Sequence, residues 1–153
     1  MTKTVITYGT FDMFHIGHLR LLQRMRQLGG RVIVAVSTDE FNALKGKRAL
    51  IPFAERREIV EALDCVDLVI EESAWDQKVS DIQRHAVDIF VMGDDWRGHF
   101  DALRAYCEVV YLERTSGISS SALKQALGRL IGAQRIAVPD DLEMIEELHR
   151  SLS

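Results

Sequence analysis

The strongest structural signal in the sequence is the apolar run Val32-Ile33-Val34-Ala35-Val36. A continuous run of this length, rich in β-branched residues, is typical of a parallel strand that is covered on both faces. Four further short apolar runs predict strands, namely Val5–Tyr8, Val66–Ile70, Ile89–Met92 and Val109–Leu112. We therefore expect a sheet of five strands.

Helical segments separate these strands. The apolar residues between Leu19 and Leu28 recur at helical spacing, and Gly29-Gly30 ends that helix. Further helices are predicted after Ser37–Glu40, at Phe53–Leu63 and Trp75–His85, after the polar loop Asp94–Gly98, and from Ser116–Ser121 to Ile131. Alternation of strands and helices predicts an α/β fold, a single Rossmann-like domain whose open parallel five-stranded sheet carries helices on both faces.

The chain divides into residues 1–131, which form this domain, and residues 132–153, a C-terminal helical extension. Pro139-Asp140-Asp141 introduces an acidic helix that reaches Leu148. We expect the extension to pack on the same domain or on a partner subunit, with Gly132–Val138 as a hinge in the second case.

Composition excludes several classes of protein. The 153 residues carry a net charge of −4, so we expect no nucleic-acid partner and infer that a polyanionic ligand would need a local cluster of cations. Cys65 and Cys107 are too few for a disulfide framework and are expected to be buried free thiols. The sequence shows no signal-peptide core and no bilayer-length apolar run, so we expect a cytoplasmic protein with no membrane partner.

The loop after the first strand carries two histidines, in the sequence Gly9-Thr10-Phe11-Asp12-Met13-Phe14-His15-Ile16-Gly17-His18. Neither the dinucleotide fingerprint G-x-G-x-x-G nor the phosphate loop G-x-x-x-x-G-K-[ST] occurs there. Two imidazoles three residues apart at a helix start share one side of its first turn, where free backbone N–H groups favour an anion. Gly17 is expected to leave room for a phosphate near the backbone, although a capping or metal-binding role for the two histidines is the alternative.

A second polar segment, Arg114-Thr115-Ser116-Gly117-Ile118-Ser119-Ser120, precedes the last helix of the domain. Arg114 offers a planar, permanently charged fork for phosphate oxygens. Gly117 gives the backbone freedom, and Ser119 is placed to cap the following helix. Two helix N-termini that face one gap would hold a triphosphate from both sides, whereas the simpler interpretation is a polar loop with an ordinary cap.

These two segments resemble the two signatures of the cytidylyltransferase branch of the nucleotidyltransferase superfamily. Ser37–Asn42 and Val91–Trp96 are similar to the bacterial members of that branch that act on glycerol 3-phosphate. The likeness runs from about residue 3 to residue 125. One departure is Asp64, where the family pattern usually carries an arginine.

The resemblance implies roles for particular residues. His15, His18, Lys47 and Arg114 would be catalytic. The nucleotide would be bound by Thr10, Phe11, Gly17, Asp95, Arg114, Thr115, Gly117, Ile118, Ser119 and Ser120, with Asp95 near the base. The acceptor would be bound by Lys45, Arg56, Trp75 and Lys78.

Simpler explanations remain open for several of these residues. Lys45 and Lys47 belong to a basic loop that would otherwise be solvated surface, Arg56 fits a helix-face salt bridge, and Trp75 fits core packing. Asp94-Asp95 is only weak evidence for a metal site, and we predict no metal held by the protein alone.

The resemblance further implies in-line transfer of a cytidylyl group from CTP to glycerol 3-phosphate or a similar alcohol phosphate, giving CDP-glycerol and pyrophosphate. Mg²⁺ would be bound mainly through the triphosphate, and the chain would form a homodimer. Two alternatives stay open: an adenylyltransferase that uses ATP with FMN or a sugar phosphate, and a nucleotide sensor without catalysis.

Overall fold

The computed structural model describes residues 2–133, so the predicted helix that ends at Leu148 lies outside the described residues. The strands are β1 (Thr4–Gly9), β2 (Arg31–Ser37), β3 (Leu68–Glu72), β4 (Ile89–Gly93) and β5 (Glu108–Leu112). The helices are α1 (Ile16–Leu28), α2 (Asp39–Leu44), α3 (Phe53–Glu61), α4 (Gln77–Arg84) and α5 (Ser120–Ala133). Two short 3₁₀ segments, Asp94–Trp96 and Asp101–Ala105, connect β4 to β5.

The five strands form one sheet in the order β3-β2-β1-β4-β5, and every pair is parallel. Val5 of β1 lies in register with Val32 on one side and with Ile89 on the other. The chain thus moves outward from β1 to β3 and then returns to place β4 beside β1. In such sheets ligands bind beyond the carboxyl ends of the strands at this reversal. The predicted parallel five-stranded sheet is confirmed.

Both faces of the sheet are covered, because strand residues alternate between two apolar cores. Val32, Val34 and Val36 pack with Leu22 of α1 and Val60 of α3. On the other face the core contains Ile33 and Ala35 of β2, Phe90 of β4, Ile82 of α4 and Leu103. This double coverage is why the run in β2 is apolar at every position.

Two elements, β3 and α4, begin two residues later than predicted. β3 begins at Leu68 rather than Val66, because the Val66 N–H bonds the Leu63 carbonyl at 3.1 Å and closes a turn after α3. α4 begins at Gln77 rather than Trp75. Gln77 Oε1 accepts hydrogen bonds from the N–H groups of Ser73 and Ala74 at 2.7 and 3.0 Å, which holds the residues before the helix in a loop.

Gly29 ends α1 for a reason that spacing alone does not reveal. Its φ of −161° is extended backbone, which any residue can adopt. A Cβ at this position would lie 2.6 Å from the Lys3 carbonyl oxygen and from Val5 Cγ2. Glycine is therefore needed so that the end of α1 can approach β1 closely.

Cys65 and Cys107 are free thiols but only half-buried, so the expectation of full burial is wrong. Both pack at the edges of the apolar cores. Within residues 2–133, no helix combines the length and the apolar composition that spanning a bilayer would require.

Candidate active site

Two adjoining cavities open at the carboxyl ends of β1 and β4. The first, which we call the histidine cavity, has a volume of about 360 Å³. It is lined by predicted site residues from both polar segments and by Lys47 and Asp95. Those from the segments are Thr10, Phe11, His15, Gly17, His18, Arg114, Thr115, Ile118, Ser119 and Ser120. The second, the lysine cavity of about 810 Å³, is lined by Lys45, Lys78, Trp75 and Glu72, and it shares Thr10, Phe11, His18 and Lys47 with the first. The fold thus brings the two distant polar segments to one place.

The two histidines cap the start of α1 and hold each other in place. His15 Nδ1 accepts a hydrogen bond from the Gly17 N–H at 3.0 Å, and His18 Nδ1 accepts one from the His15 N–H at 3.2 Å. Their rings stack with a centroid distance of 3.8 Å. Phe11 and Phe14 contact the His18 ring from other sides. Both side chains are therefore fixed before any ligand binds.

This arrangement also fixes the tautomer of both rings. Because each Nδ1 accepts a backbone hydrogen bond, each neutral ring carries its proton on Nε2. Among the described residues, His15 Nε2 and Asn42 Nδ2 are the two buried side-chain polar atoms without a partner. A buried donor left unpaired is costly unless a ligand satisfies it. The capping interpretation is thus correct, and it leaves the Nε2–H groups for another partner.

The surroundings keep both rings uncharged near pH 7. Burial and the neighbouring His15 ring lower the pKa of His18 to about 4, although the Asp12 carboxylate opposes the shift. Burial, and then the charge of Arg114, lower the pKa of His15 from its ordinary value. The pair therefore offers neutral N–H donors rather than imidazolium ions.

Gly17 has a structural role in addition to the one that we expected. A Cβ there would lie 2.8 Å from His15 Cε1, 3.0 Å from His15 Nδ1 and 3.2 Å from Ile118 Cγ2. The missing side chain thus leaves room for the His15 ring and for Ile118 of the second polar segment. The prediction that Gly17 lines the nucleotide site stays a prediction, but its first physical function is to let this cap close.

The second polar segment is built as the sequence indicated. Gly117 has a φ of +82°, a left-handed conformation that favours glycine. Ser119 Oγ accepts a hydrogen bond from the Ala122 N–H at 3.0 Å and so caps α5. Ser120 Oγ donates to the Asp12 carbonyl at 2.6 Å, which ties the start of α5 to the loop after β1. The N-termini of α1 and α5 consequently face the same cavity.

Cations lie at the rim of the histidine cavity. Arg114 is exposed and pairs with Asp95 at 2.8 Å, and Lys47 Nζ lies 5.6 Å from the centroid of the Trp96 ring. Asp94, which precedes Asp95, instead pairs with Arg97. Residues 2–133 contain no group of three or more His, Cys, Asp or Glu side chains placed to hold a metal ion.

The lysine cavity has a buried carboxylate at its floor. Glu72 is 4% exposed and contacts Lys78 Nζ at 3.1 Å and Lys45 Nζ at 3.5 Å. Trp75 lies at the mouth of this cavity and is 65% exposed. Its ring contacts Phe41 edge-on at 5.1 Å. Core packing of Trp75 was therefore a wrong expectation, as was its place inside a helix, since α4 begins only at Gln77.

Arg56 is not where a substrate-binding residue would lie. Its side chain is 1% exposed and lines neither cavity. It donates to the carbonyl oxygens of Thr10, Ser37 and Ile51 at 2.7, 2.8 and 2.8 Å and to Asp39 Oδ1 at 2.8 Å. The expectation of a substrate contact is corrected to a structural role, in which Arg56 holds the Thr10 carbonyl at the cavity wall.

Asp64 also lies away from both cavities. It is exposed and sits just before β3, on the side of the sheet where strands begin, whereas the cavities lie where β1 and β4 end. Within the described chain, the replacement of arginine by aspartate at this position leaves the cavity walls unaltered.

Sequence analysis missed three residues that shape the site. Asp12 is 3% exposed and accepts hydrogen bonds from the N–H groups of Leu50 and Ile51 and from Lys124 Nζ. Burial alone would raise the pKa of Asp12, but these hydrogen bonds outweigh it and hold the pKa below the ordinary value. Arg24 lines the histidine cavity and donates to the Glu113 carbonyl at 2.7 Å, and Glu72 is the third. Asp12 lies inside the first polar segment, which could have signalled it.

Comparisons with known proteins agree with this geometry. The cytidylyltransferase-like family matches residues 6–126. Glycerol-3-phosphate cytidylyltransferase of Bacillus subtilis (strain 168) is 53% identical over 128 residues, which cover 84% of this chain and 99% of that protein. The protein of the same name from Staphylococcus aureus (strain NCTC 8325 / PS 47) is 51% identical over 125 residues, covering 82% of this chain and 95% of that protein.

A solved structure supports the fold. The lipopolysaccharide core biosynthesis protein from Thermoplasma volcanium GSS1 superposes with a TM-score of 0.64 at 21% identity, covering 76% of this chain and 100% of that one. Fold, site and sequence relatives lead to one conclusion: the chain belongs to the cytidylyltransferase-like family and is a nucleotidyltransferase.

Proposed function

We propose that this protein transfers a cytidylyl group from CTP to glycerol 3-phosphate, giving CDP-glycerol and pyrophosphate. The observation that carries the proposal is the stacked histidine pair at the N-terminus of α1. Both histidines line the histidine cavity, which the N-terminus of α5 also faces, and His18 lines the lysine cavity as well. Relatives at 51–53% identity that carry this activity in their name support the choice of substrates.

The histidine cavity suits a triphosphate. The Nε2–H groups of His15 and His18 donate to oxygens around the α-phosphorus, where charge changes during displacement. Donors that are already oriented stabilise such charge without reorganising. Lys47 and Arg114 supply the positive charge that the departing pyrophosphate requires, and the N-termini of α1 and α5 add partial positive charge. Asp95 lies at the rim of the histidine cavity, where it would contact the base of the nucleotide.

The lysine cavity suits the acceptor. Lys45 and Lys78 are cations placed for a phosphate monoester, and Trp75 lies at the mouth. Since the two cavities share His18 and Lys47, an acceptor phosphate in one can reach the α-phosphorus of a nucleotide in the other. Both reactants are anions near neutral pH, so catalysis consists mainly of aligning them and offsetting their repulsion. No proton transfer by a side chain is required.

Mg²⁺ fits this site only as a partner of the nucleotide. Proteins commonly bind Mg²⁺ through substrate phosphates and one or two carboxylates. Asp95 and Glu113 are the described carboxylate residues that line the histidine cavity and could assist. When bound, the ion would neutralise part of the charge of the triphosphate.

Two further properties of the protein belong to this proposal. A homodimer is implied by the resemblance to the family, and a cytoplasmic location is the expectation from the sequence. Light scattering coupled to size exclusion measures the mass directly, and a monomer would contradict the first property. Fractionation of the source cells tests the second.

The experiment that tests the function is a pyrophosphate-release assay with all four nucleoside triphosphates and a panel of acceptors. We expect turnover with CTP and glycerol 3-phosphate together, and mass spectrometry should find CDP-glycerol. Faster turnover of ATP with FMN or a sugar phosphate would replace the proposal by the adenylyltransferase alternative. Nucleotide binding without turnover of any acceptor would favour the sensor.

A further inference from the structure

The floor of the lysine cavity holds a carboxylate between two ammonium groups. Glu72 ends β3 and is 4% exposed. Its Oε2 accepts a hydrogen bond from Lys78 Nζ at 3.1 Å, and Lys45 Nζ lies 3.5 Å from its Oε1. Ser37 Oγ donates to the same Oε1 at 2.5 Å and accepts a hydrogen bond from Lys45 Nζ at 3.0 Å. The two lysines therefore come from different elements, and one carboxylate sets their separation.

Both lysines are held away from bulk water. Their side chains are 14% exposed. Lys45 Nζ lies 4.5 Å from the centroid of the Phe41 ring, and Lys78 Nζ lies 4.7 Å from that of Tyr8 and 5.5 Å from that of Phe100. The two ammonium groups repel each other, and burial disfavours the charge of Lys45. An ion buried without a counter-charge is strongly destabilised, and Glu72 supplies that counter-charge to both lysines.

We propose that Glu72 is a positioning residue for the acceptor: it offsets the repulsion between Lys45 and Lys78 and holds them correctly spaced to bind the phosphate monoester of the acceptor. The inference rests on the proposed function, which it deepens. The two lysines and Glu72 together carry one net positive charge, and each ammonium keeps N–H donors that Glu72 does not use. Such a site suits a small phosphate dianion better than a neutral polyol.

The charge balance makes a pH-dependent prediction. Burial lowers the pKa of Lys45, and Lys47 and Lys78 push it the same way, whereas Glu72 is the main group that raises it. Removing the charge of Glu72 should therefore lower this pKa further. Lys45 would then lose its proton at a lower pH than in the wild-type protein, and acceptor binding would weaken as the pH rises.

The test compares Glu72→Gln with the wild-type protein between pH 6.5 and pH 9. We expect the KM for glycerol 3-phosphate to rise about tenfold at pH 8 and to rise further toward pH 9, because the two cations lose their common partner. The KM for CTP and the kcat should stay within about twofold, since Glu72, Lys45 and Lys78 line the lysine cavity and not the histidine cavity. Glu72→Asp keeps the charge, so its KM should follow the wild-type dependence on pH.

Glu71→Gln is the matched control, because exposed Glu71 precedes Glu72 on β3, pairs with Arg57 and lines neither cavity. It should leave every kinetic constant unchanged.

The inference would be overturned if Glu72→Gln left the KM for glycerol 3-phosphate unchanged. It would also be overturned if the KM for glycerol 3-phosphate and the KM for CTP rose by the same factor at every pH. If Glu72→Gln does not fold, Lys45→Met takes its place. In this variant the KM for glycerol 3-phosphate should already be raised at pH 6.5 and should not change further up to pH 9. A KM equal to the wild-type value would overturn the inference. Wild-type protein that never uses glycerol 3-phosphate would instead overturn the proposed function.

Discussion

At the scale of single residues, the tautomer of the histidines decides what the site can do. A neutral imidazole has one donor and one acceptor nitrogen. In both His15 and His18 the acceptor, Nδ1, is used inside the protein, and the donor is left for the ligand. The same two side chains therefore stabilise the start of α1 and supply hydrogen-bond donors to the ligand.

Substitution at His18 can separate these two contributions. In His18→Asn the amide oxygen can replace Nδ1 as the acceptor for the His15 N–H, but nothing replaces the Nε2–H. We expect kcat to fall about 10²- to 10³-fold, the loss typical of one preoriented donor, with little change in stability. His18→Gln should recover part of the loss, because its amide N–H₂ reaches the position of Nε2. Pyrophosphate-release kinetics and urea unfolding measure both effects, and a fall in kcat of less than about tenfold would contradict the role of His18.

The low pKa of His18 also predicts how stability depends on pH. The unfolded chain takes up a proton near the ordinary pKa of 6.5, whereas the folded protein keeps this ring neutral down to about 4. The contribution of His18 to stability is therefore fully present above pH 6.5. As the pH falls from 6.5 toward 4, the free energy of unfolding decreases by on the order of 2 kcal/mol because of this residue. Urea unfolding should show that the free energy of unfolding changes less between pH 7 and pH 5 in His18→Asn than in the wild-type protein. Equal differences would contradict the assignment.

At the scale of elements, the start of α1 depends on close packing between two polar segments distant in sequence. Gly17→Ala should gain up to about 1 kcal/mol of helix propensity. It should also displace the His15 ring, because the new Cβ would lie 2.8 Å from His15 Cε1. We expect kcat to fall at least about tenfold while stability changes little.

A glycine in a different helix provides the control for this prediction. Gly128 lies in α5, and apart from its chain neighbours and the backbone of its own helix no described atom lies within 4 Å of the place where its Cβ would be. Gly128→Ala should stabilise the protein by about 0.5 to 1 kcal/mol and leave kcat unchanged. Activity retained in Gly17→Ala would show that the His15 ring does not need its present position.

The elements that sequence predicted well are those whose signal is local. The apolar run in β2 follows from coverage on both faces, and the cap at Ser119 follows from its place before α5. Trp75 was misplaced because the side chain of Gln77 holds the preceding residues in a loop, which the apolar pattern does not record. Glu72 was missed since one acidic residue at a strand end is usually solvated, and only the fold brings Lys45 and Lys78 to it.

At the scale of the whole molecule, the sheet order creates the site and buried Arg56 joins the segments around it. The reversal between β1 and β4 opens the crevice, but the loop after β1 needs support from the side of β2. Arg56 gives that support by linking Thr10, Ser37, Ile51 and Asp39 through one planar guanidinium group. Four acceptors in different segments require a fork of donors that a lysine cannot offer.

Arg56→Lys should therefore destabilise the whole domain rather than weaken the binding of one substrate. Leaving buried carbonyl groups without donors should cost about 2 to 4 kcal/mol, visible in the urea midpoint. Arg57→Lys is the control on the same helix, because Arg57 pairs with exposed Glu61 and Glu71 and should change stability by less than about 0.5 kcal/mol. If Arg56 contacted substrate instead, Arg56→Lys would keep the wild-type midpoint and raise one KM. That result would show that Arg56 binds the acceptor. A lowered midpoint would instead show that Arg56 stabilises the segments that keep the histidine cavity open.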